Sequence, residues 1–236
     1  MPASTLEVAD INWGVELLKR RRDPLIKLAP VFWRPAADAS SIHRQFIEFL
    51  LTDGGAHGFR TDEAVLIAAP RGDGWLVDDM YVPGSAWGST DGGALWNALD
   101  SVAHGTPVQF VCPVYENDRA DFAEAAGLTI AESWWLLELP NGPSGGEAGV
   151  RIDLAGTKAL TVAAPPVYDP GGPVLYIPVL GDAPAGLPAA LESARDLGCP
   201  AIVVNQVAGD ASPAQALNEA GFQRHCDYYT GIISPL

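Results

Sequence analysis

The chain has 236 residues, of which 48% are hydrophobic, so it can form one large domain or two small ones with a substantial core. Its formal net charge of −15 argues against nucleic acid and anionic membranes as partners, because both attract Lys and Arg. The acidity favours a cationic substrate such as an amine, although a generally acidic proteome would give the same charge.

Three cysteines, Cys112, Cys199 and Cys226, lie within or beside apolar segments and have no metal-ligand spacing. We therefore expect buried free thiols in a reducing cytoplasm, and no metal cofactor. The N-terminal segment lacks a basic start followed by an apolar run, and no apolar run reaches about eighteen residues. These features predict a cytoplasmic protein without a signal peptide or a membrane span.

The first part of the chain predicts a strand at Leu6–Ile11 and then a helix that Asn12 caps. The basic run at 19–22 either compensates the negative end of this helix or clamps a phosphate. Prolines interrupt the segment that follows. Within it, Phe32 and Trp33 either line a pocket or pack beneath a loop.

A second helix is predicted to begin with Ser40 or Ser41 as its cap. Its apolar face should consist of Ile42, Phe46, Phe49 and Leu50. Two strands, at 58–60 and 64–70, should follow and be joined by a polar turn.

The stretch from Trp75 to Trp135 reads as strand, glycine loop, helix, strand, helix and strand. The strand GWLVDDMYV leads into a loop that ends in DGGA and opens the helix LWNALDSVA. Free N–H groups of such a loop, together with the positive end of the helix, suit a phosphate or pyrophosphate. Glycine also serves turns and caps, so the loop alone is a weak signal.

A Gly/Pro-rich linker at 140–149 separates this stretch from a second series of strands and helices. Gly92 and Gly186, which precede corresponding helices, are 94 residues apart. Gly127 and Gly221, which end the next helix in each series, have the same offset. This shared offset predicts two copies of one unit, the second without the front helices. Coincidental spacing of alternating strands and helices is the alternative.

The order of elements and three segments resemble the GCN5-related N-acetyltransferase (GNAT) superfamily. The segments are GWLVDDMYV, DGGALWNAL and RADFAEAAGL. The resemblance covers residues 6–139 in full, and residues 160–233 resemble the latter part of the same fold. It implies an α/β fold with a mixed sheet, the GNAT-like acyl-CoA N-acyltransferase fold, plus a C-terminal half-GNAT repeat. The implied domains are 1–139, a linker at 140–149, and a degenerate half-domain at 150–236 packed on the first.

The resemblance implies acetyl-CoA as co-substrate. Its pantetheine arm would pair with the strand end at Met80, Tyr81 and Val82, and its pyrophosphate would rest on the loop and the helix start. The other residues that the resemblance assigns to the cofactor are Gly92, Gly93, Ala94 and Asn117. Within the loop motif, Ser89 replaces the usual Gln or Arg, and Asp91 puts a negative charge beside the expected pyrophosphate.

Acetyl transfer needs a base for the acceptor ammonium and a donor for the tetrahedral oxyanion. The resemblance points to a carboxylate of the acidic strand. We favour Asp79 over Asp78, which should lie on the opposite face; an exposed or turn-capping carboxylate is the alternative for each. The tyrosine that relatives carry in the later helix is absent from both copies, at Ala123 and Leu217. Tyr115 is near enough to substitute, although it could equally serve packing.

We therefore expect an N-acetyltransferase that moves an acetyl group to the amine of a small molecule or amino-acid-like acceptor, with Phe32 and Trp33 in the acceptor wall. Asn117 could equally serve only as a helix cap. Pro188 lacks a backbone N–H, so the second copy should not bind CoA.

Two other functions stay open at this point. One is a catalytically inactive GNAT scaffold that binds CoA, another ligand or a protein partner. The other is purely structural, with the half-copy covering an exposed sheet edge. We expect a monomer or homodimer with no nucleic acid or membrane partner.

Overall fold

The computed structural model describes residues 2–88, 90–140, 142, 145–154, 156–181 and 183–236, which form two compact units. The first unit contains the chain up to Asp23, Ser40–Ala131 and Asp227–Leu236. The second contains Pro24–Ala39 and Glu132–Cys226. The units differ from the predicted boundaries at 139 and 150, because two long strands each pass from one unit into the other. The predicted linker lies partly outside the described residues.

The first half of the chain has the predicted order of elements, except that its first strand lies earlier and the acidic strand is split in two. In sequence they are β1 (Ser4–Thr5), α1 (Ile11–Ile26), α2 (Ala39–Thr52), β2 (His57–Arg60), β3 (Val65–Arg71), β4 (Gly74–Val77), β5 (Met80–Tyr81), α3 (Asp91–Ala103), β6 (Pro107–Pro113), α4 (Asn117–Ala125) and β7 (Thr129–Glu138). Short 3-10 helices at Val8–Asp10 and Gly84–Trp87 precede α1 and α3.

The second half repeats the later elements of the first. They are β8 (Arg151–Leu154), β9 (Thr157–Val162), β10 (Val174–Ile177), α5 (Ala183–Asp196), β11 (Ala201–Val207), α6 (Ser212–Glu219) and β12 (Gln223–Ile232). Both ends of β11 lie 94 residues after those of β6, and both ends of β12 lie 94 residues after those of β7. The predicted repeat is therefore confirmed in the bounds of its strands.

Each unit is built on a sheet that includes a parallel pair of strands. In the first unit the strand order is β1-β2-β3-β4-β6-β12, and β4 runs parallel to β6. In the second the order is β7-β11-β10-β9-β8, and β10 runs parallel to β11. Alternation along β3 puts Val65 and Ile67 into a core with α1 and α2, whereas Leu66 and Ala68 join a core with α3 and α4. The predicted α/β class with a mixed sheet is confirmed.

The predicted strand at Leu6–Ile11 is wrong. The Leu6 N–H still donates to the carbonyl oxygen of Gly58 (2.9 Å), but the chain then turns into a 3-10 helix. Glu7 and Asp10 form a capping box around that turn, which an extended chain could not make. Because α1 starts directly afterwards, Asn12 is its second residue and not its cap.

Two other helix bounds differ from the predicted ones. Helix α1 continues through Pro24 to Ile26, so the basic run at 19–22 lies inside the helix and not at its end. Helix α5 begins at Ala183 and encloses Pro188 and also Gly186, which was predicted to precede it. Pro24 was expected to lie beyond the end of α1 and Gly186 before the start of α5, but each lies within its helix.

Helix α2 buries a different face from the predicted one. Its buried residues are His43, Ile47 and Leu50. Phe46 and Phe49 were expected in the core but are 50% and 55% exposed. The helix also begins at Ala39, one residue before the first of its predicted caps, Ser40 and Ser41. The prediction counted only apolar residues and so left out His43. With His43 included, the buried face is the one that also carries Ile47 and Leu50.

The three cysteines are free and buried, as predicted. Burial raises the pKa of Cys112 to about 12 and that of Cys199 to about 11, so both are thiols at neutral pH. Across the described ranges, no helix has the length and apolar character that crossing a membrane requires.

Candidate ligand-binding site

The acidic strand of the sequence is broken in two at Asp78 and Asp79. Strand β4 runs beside β6 up to Val77, whereas β5 pairs with β3. Within the break the Met80 N–H donates to the Asp78 carbonyl oxygen (2.9 Å), and the Asp79 carbonyl oxygen accepts from the N–H of Ile67 (2.8 Å). The predicted alternation of faces along one strand is wrong here, since Val77 and Met80 are both buried.

Arg119 bridges the two strands where they part. Its side chain is 0% exposed and comes from the first turns of α4. Nε donates to the carbonyl oxygen of Val111 on β6 (2.7 Å), Nη1 to that of Met80 on β5 (2.8 Å), and Nη2 to that of Asp78 (3.0 Å). The guanidinium carbon also lies 4.3 Å from the ring centre of Phe110. Burial lowers the pKa of Arg119 to about 10, so it stays charged at pH 7.

These contacts engage the strand end that the sequence assigns to a pantetheine arm. The backbone N–H and C=O of Met80 both have partners within the chain. The N–H donates to the Asp78 carbonyl oxygen, and the Met80 carbonyl oxygen accepts from Arg119. Tyr81 is in register with Val65 of β3, and Val82 is buried directly after it. The cofactor role of these three residues stays a prediction. Met80 is the least available for hydrogen bonds to a ligand, because its N–H and its carbonyl oxygen are already bonded.

Asp79, the favoured base, is held by α2 and α1. Its Oδ2 lies 2.9 Å from Nε2 of His43, and Nδ1 of His43 lies 2.6 Å from Nη1 of Arg22. Because arginine only donates, Nδ1 accepts and the Nε2–H of a neutral imidazole donates to Asp79. Burial acts to raise the pKa of Asp79, but His43 and the charges of Arg21 and Arg22 outweigh it and hold that pKa below its usual value. A carboxylate of lowered pKa is a weak base at neutral pH.

Asp78, the second predicted catalytic carboxylate, is 57% exposed. The Nη1 of Arg21 donates to its carbonyl oxygen (2.6 Å), and Nε of Arg21 donates to Glu116 Oε1 (3.0 Å). Arg22 and Lys19 of the same basic run also contact side chains of the fold. Arg21 and Arg22 therefore brace the break between β4 and β5, Arg21 directly and Arg22 through His43.

The glycine loop closes on itself at the start of α3. A Cβ on Gly92 would lie 2.2 Å from the carbonyl oxygen of Trp87, so only glycine permits this approach. The N–H of Gly93 donates to the carbonyl oxygen of Gly88 (2.9 Å). Two carbonyl oxygens thus lie against the first turn of α3, where an anion site needs free donors.

Two neighbouring residues of the loop add a donor that is already used and a negative charge. The Ala94 N–H donates to the carbonyl oxygen of Thr90 (3.0 Å) as part of the helix. Asp91 lies in the first turn, where its carboxylate compensates the positive helix end. Ser89, which stands where the family carries Gln or Arg, lies outside the described residues.

A groove of about 590 Å³ opens beside this loop in the first unit, between α3 and α4. Its described lining residues are Gly84, Trp87, Gly88, Gly93, Asn97, Asp118, Asp121, Phe122, Ala125 and Leu236. They include two carboxylates and, within the described part of the chain, neither lysine nor arginine. The groove is therefore acidic at its rim and aromatic at its wall.

The residues at this loop do not fit the pyrophosphate of acetyl-CoA. A pyrophosphate needs donors or cations, and the site presents the carbonyl oxygens of Trp87 and Gly88 with the carboxylates of Asp91, Asp118 and Asp121. In this respect the structure disagrees with the cofactor that the sequence resemblance implies. The expectation that the second copy does not bind CoA stays a prediction.

Tyr115 and Asn117 lie on either side of the start of α4. Tyr115 is half-buried in the turn that follows β6, and Asn117 is the exposed first residue of the helix. The N-cap position belongs to Glu116, so the alternative role of Asn117 as a cap is displaced by one residue. The catalytic role of Tyr115 and the cofactor role of Asn117 stay predictions.

Phe32 and Trp33 belong to the second unit, where their rings pack edge to face with centroids 5.1 Å apart. Both also contact the ring of His225, at 4.8 and 5.4 Å, and Trp33 packs on Tyr168. The Phe32 N–H donates to Glu138 Oε1 (2.7 Å). This is the packing beneath a loop that the sequence left open, and their place in an acceptor wall stays a prediction.

Sequence reasoning missed two residues that organise the site, His43 and Arg119. Each was visible as a lone polar residue in an otherwise apolar helix stripe. His43 precedes Ile47 by four residues, and Arg119 stands three before Phe122, on the buried face of α4. Such a residue indicates a buried partner on another element. Among the described residues, no group of three or more His, Cys, Asp or Glu is arranged to hold a metal ion.

No protein-family model and no curated protein matches the chain, but solved structures do. A candidate acetyltransferase from Thermoplasma acidophilum is 11% identical, with a TM-score of 0.58 over 98% of this chain and 100% of that one. A GCN5-related N-acetyltransferase from Sphaerobacter thermophilus is 12% identical, with a TM-score of 0.53 over 99% and 96%. A candidate acetyltransferase from Pyrococcus horikoshii is 11% identical, with a TM-score of 0.50 over 99% and 90%. The chain has the fold of the GCN5-related N-acetyltransferases, as the sequence predicts.

Proposed function

We propose that this chain is a GNAT-fold ligand-binding protein that does not bind acetyl-CoA and therefore does not transfer acetyl groups from it. The observation that carries the proposal is the closed start of α3. There the Gly93 N–H is bound to Gly88, and the Trp87 carbonyl oxygen lies against Gly92. Asp91 adds a carboxylate at the same turn. Together these groups take the positive helix end that a pyrophosphate would use.

The break between β4 and β5 supports the same proposal. Arg119 spans the opening and binds the Met80 carbonyl oxygen, so one acceptor of the expected pantetheine pairing is already used. Asp79 is held as an anion against His43, which makes it a poor proton acceptor. The tyrosine of the later helix is replaced by Ala123, which is buried.

Thermal unfolding with and without acetyl-CoA tests the proposal. A ligand at about a hundred times its dissociation constant stabilises the folded state by about 2.7 kcal/mol, which for a chain of this size raises Tm by several degrees. We expect no shift at millimolar acetyl-CoA or CoA. A GNAT enzyme of known acetyl-CoA affinity, run on the same plate, controls for the ligand stock. A clear shift for this chain would sink the proposal.

Acetyl transfer to a small amine is the second candidate function. It is favoured by the fold, whose solved examples include a named N-acetyltransferase, and by the carboxylate of Asp79, which is 23% exposed at the break. A thiol-release assay with acetyl-CoA and a panel of amines tests it. If the wild type turns over and Asp79→Asn does not, this candidate function is established. If both turn over equally, the chain has the activity but Asp79 is not its base.

A further inference from the structure

Strand β8 is the last strand of the sheet in the second unit. It pairs with β9 on one side, and no other described strand lies along its second side. The Thr161 N–H of β9 donates to the carbonyl oxygen of Val150 (2.9 Å), just before β8, so these two residues form a hydrogen-bonded pair of the antiparallel ladder. Because such pairs alternate with non-bonded ones, Ile152 and Leu154 direct their backbone groups to β9.

Arg151 and Asp153 lie between those residues, so their N–H and C=O groups point to the open side of the sheet. None of these groups is bonded to a residue that the structure describes. The side chains of Arg151 and Asp153 share the exposed face of β8, whereas Ile152 and Leu154 face the core of the second unit. The edge thus combines free backbone groups with two opposite charges.

The two charges differ in what they already bind. Within the described part of the chain, the guanidinium group of Arg151 has neither a hydrogen bond nor an ion pair. The carboxylate of Asp153 accepts from Nζ of Lys158 on β9, and its Oδ1 accepts from the N–H of Gly156 (2.6 Å). A carboxylate has about four lone-pair sites. Asp153 can therefore accept a further donor from the open side.

A second copy of β8 fits this edge in one register. A twofold axis that joins two antiparallel β8 strands can set Arg151 opposite Arg151, Asp153 opposite Asp153, or Arg151 opposite Asp153. The first two registers oppose like charges across a pair whose Cα atoms are about 5.5 Å apart. The third opposes unlike charges twice, and each of the two pairs exchanges two backbone hydrogen bonds. Charge therefore selects the third register.

The other face of β8 agrees with that register. It sets Ile152 opposite Ile152 of the second copy, and Val150 opposite Leu154 of the second copy. Ile152 is only half-buried within one copy, so it has apolar surface left to cover. One face of the joined strands would then be charged and paired, and the other face apolar.

We propose that this chain forms a homodimer through β8, in which Arg151 of each copy pairs with Asp153 of the other. The inference is independent of the proposed function, because β8 belongs to the second unit and the glycine loop to the first. A strand of 4 residues makes a small interface, so monomer and dimer should exchange at micromolar concentrations. The net charge of −15 opposes association, but salt at physiological strength screens charges more than about 8 Å apart.

Sedimentation velocity of the full chain from about 1 to about 500 µM tests the inference. The mass should rise with concentration from 24.8 kDa towards twice that value. Hydrogen–deuterium exchange at the two extremes should be slower in the peptide 150–154 at high concentration, because the N–H groups of Arg151 and Asp153 become bonded. A chain that stays monomeric at about 500 µM would overturn the inference, and the edge charges would then serve only to keep other strands away.

Complementary charge variants test the pairing itself. Arg151→Glu gives the edge two carboxylates, and Asp153→Arg gives it two guanidinium groups. Each variant alone opposes like charges and should self-associate at least tenfold more weakly than the wild type. An equimolar mixture of the two variants restores both unlike pairs and should dimerise within about threefold of the wild-type affinity. A mixture that stays monomeric would overturn the pairing of Arg151 with Asp153.

Lys27→Glu is the matched control for Arg151→Glu. Lys27 is also an exposed cation of the second unit without a described side-chain partner, and its substitution changes the net charge equally. It should change the dimer affinity less than twofold. Thermal melting checks that each variant folds. If Asp153→Arg does not fold, because Asp153 also bonds within its own hairpin, the comparison of Arg151→Glu with Lys27→Glu decides, and equal affinities would overturn the inference.

Discussion

Replacing Arg119 by methionine should cost much of the stability of the first unit. Methionine keeps the length of the side chain and its apolar stem, but it cannot donate. The carbonyl oxygens of Val111 and Met80 then lose a buried donor, and that of Asp78 loses a half-buried one. Because β5 and β6 do not pair directly with each other at this point, no strand contact replaces the lost bonds.

The size of the effect follows from these contacts. A buried carbonyl without a donor costs about 1–3 kcal/mol, so the oxygens of Val111 and Met80 together give a loss of about 2–5 kcal/mol after relaxation. The Asp78 oxygen adds little, because it keeps the Met80 N–H and Arg21 as donors. The total loss is a large part of the about 5–15 kcal/mol by which ordinary domains are stable. Arg119→Lys should fall between methionine and the wild type, since one ammonium cannot reach all three oxygens.

Urea unfolding monitored by circular dichroism measures the loss, with Arg20→Met as the control. Arg20 is exposed on α1, so its substitution should change the free energy of unfolding by less than about 0.5 kcal/mol. A loss below about 1 kcal/mol for Arg119→Met would refute the reasoning, because the three carbonyl contacts would then contribute little to the fold.

Three further predictions concern single positions. Gly92→Ala should destabilise by about 2 kcal/mol or more because of its contact with the Trp87 oxygen, whereas Gly88→Ala, with open space at its Cβ, should stay near the wild type in the same urea assay. The pKa of Asp79 is lowered in the folded state, so its ionised form stabilises the fold above the unfolded pKa of about 3.9 and this contribution is lost as pH falls through the folded pKa. The Tm deficit of Asp79→Asn should accordingly be present at pH 7 and shrink below pH 4; a deficit independent of pH would contradict this. Burial lowers the pKa of His225 to about 4, so the unfolded chain takes up a proton first and stability falls between about pH 6.5 and pH 4. His225→Phe should flatten the Tm profile over that window, and an unchanged slope would rule out His225 as its source.

Much of the fold could be predicted from the hydrophobic periodicity of the sequence and from the glycines that end its helices. The strands β6 and β7 and the helix α4 stand where the sequence places them, and the 94-residue offset returns in β11 and β12. These elements are long, regular and bounded by Gly127 and Gly221, which adopt positive φ angles that glycine readily accepts. Local chemistry was sufficient to find them.

The site was harder to predict because distant residues decide it. His43 is buried where it meets Asp79, 36 positions away, and Arg119 is buried where it meets Met80, 39 positions away. Neither pairing leaves a periodic signal. The break at Asp78 is equally hidden, since the run around it reads as one continuous strand.

The glycine loop shows the same limit in another way. The sequence matched Gly92 and Gly93 to a motif and assigned them to a pyrophosphate. In the structure they make room for the carbonyl oxygens of Trp87 and Gly88. A motif records that the backbone must come close to something, and only the fold shows whether that partner is a ligand or the chain itself.

Direct calorimetric titration of acetyl-CoA into the full chain tests the central claim, that the start of α3 is closed to a pyrophosphate. The account predicts no measurable heat of binding up to millimolar acetyl-CoA, at low as well as at moderate salt. A saturable isotherm for one site, with an affinity that Gly93→Pro at the loop weakens, would contradict the account. It would support an acetyl-CoA-dependent enzyme instead.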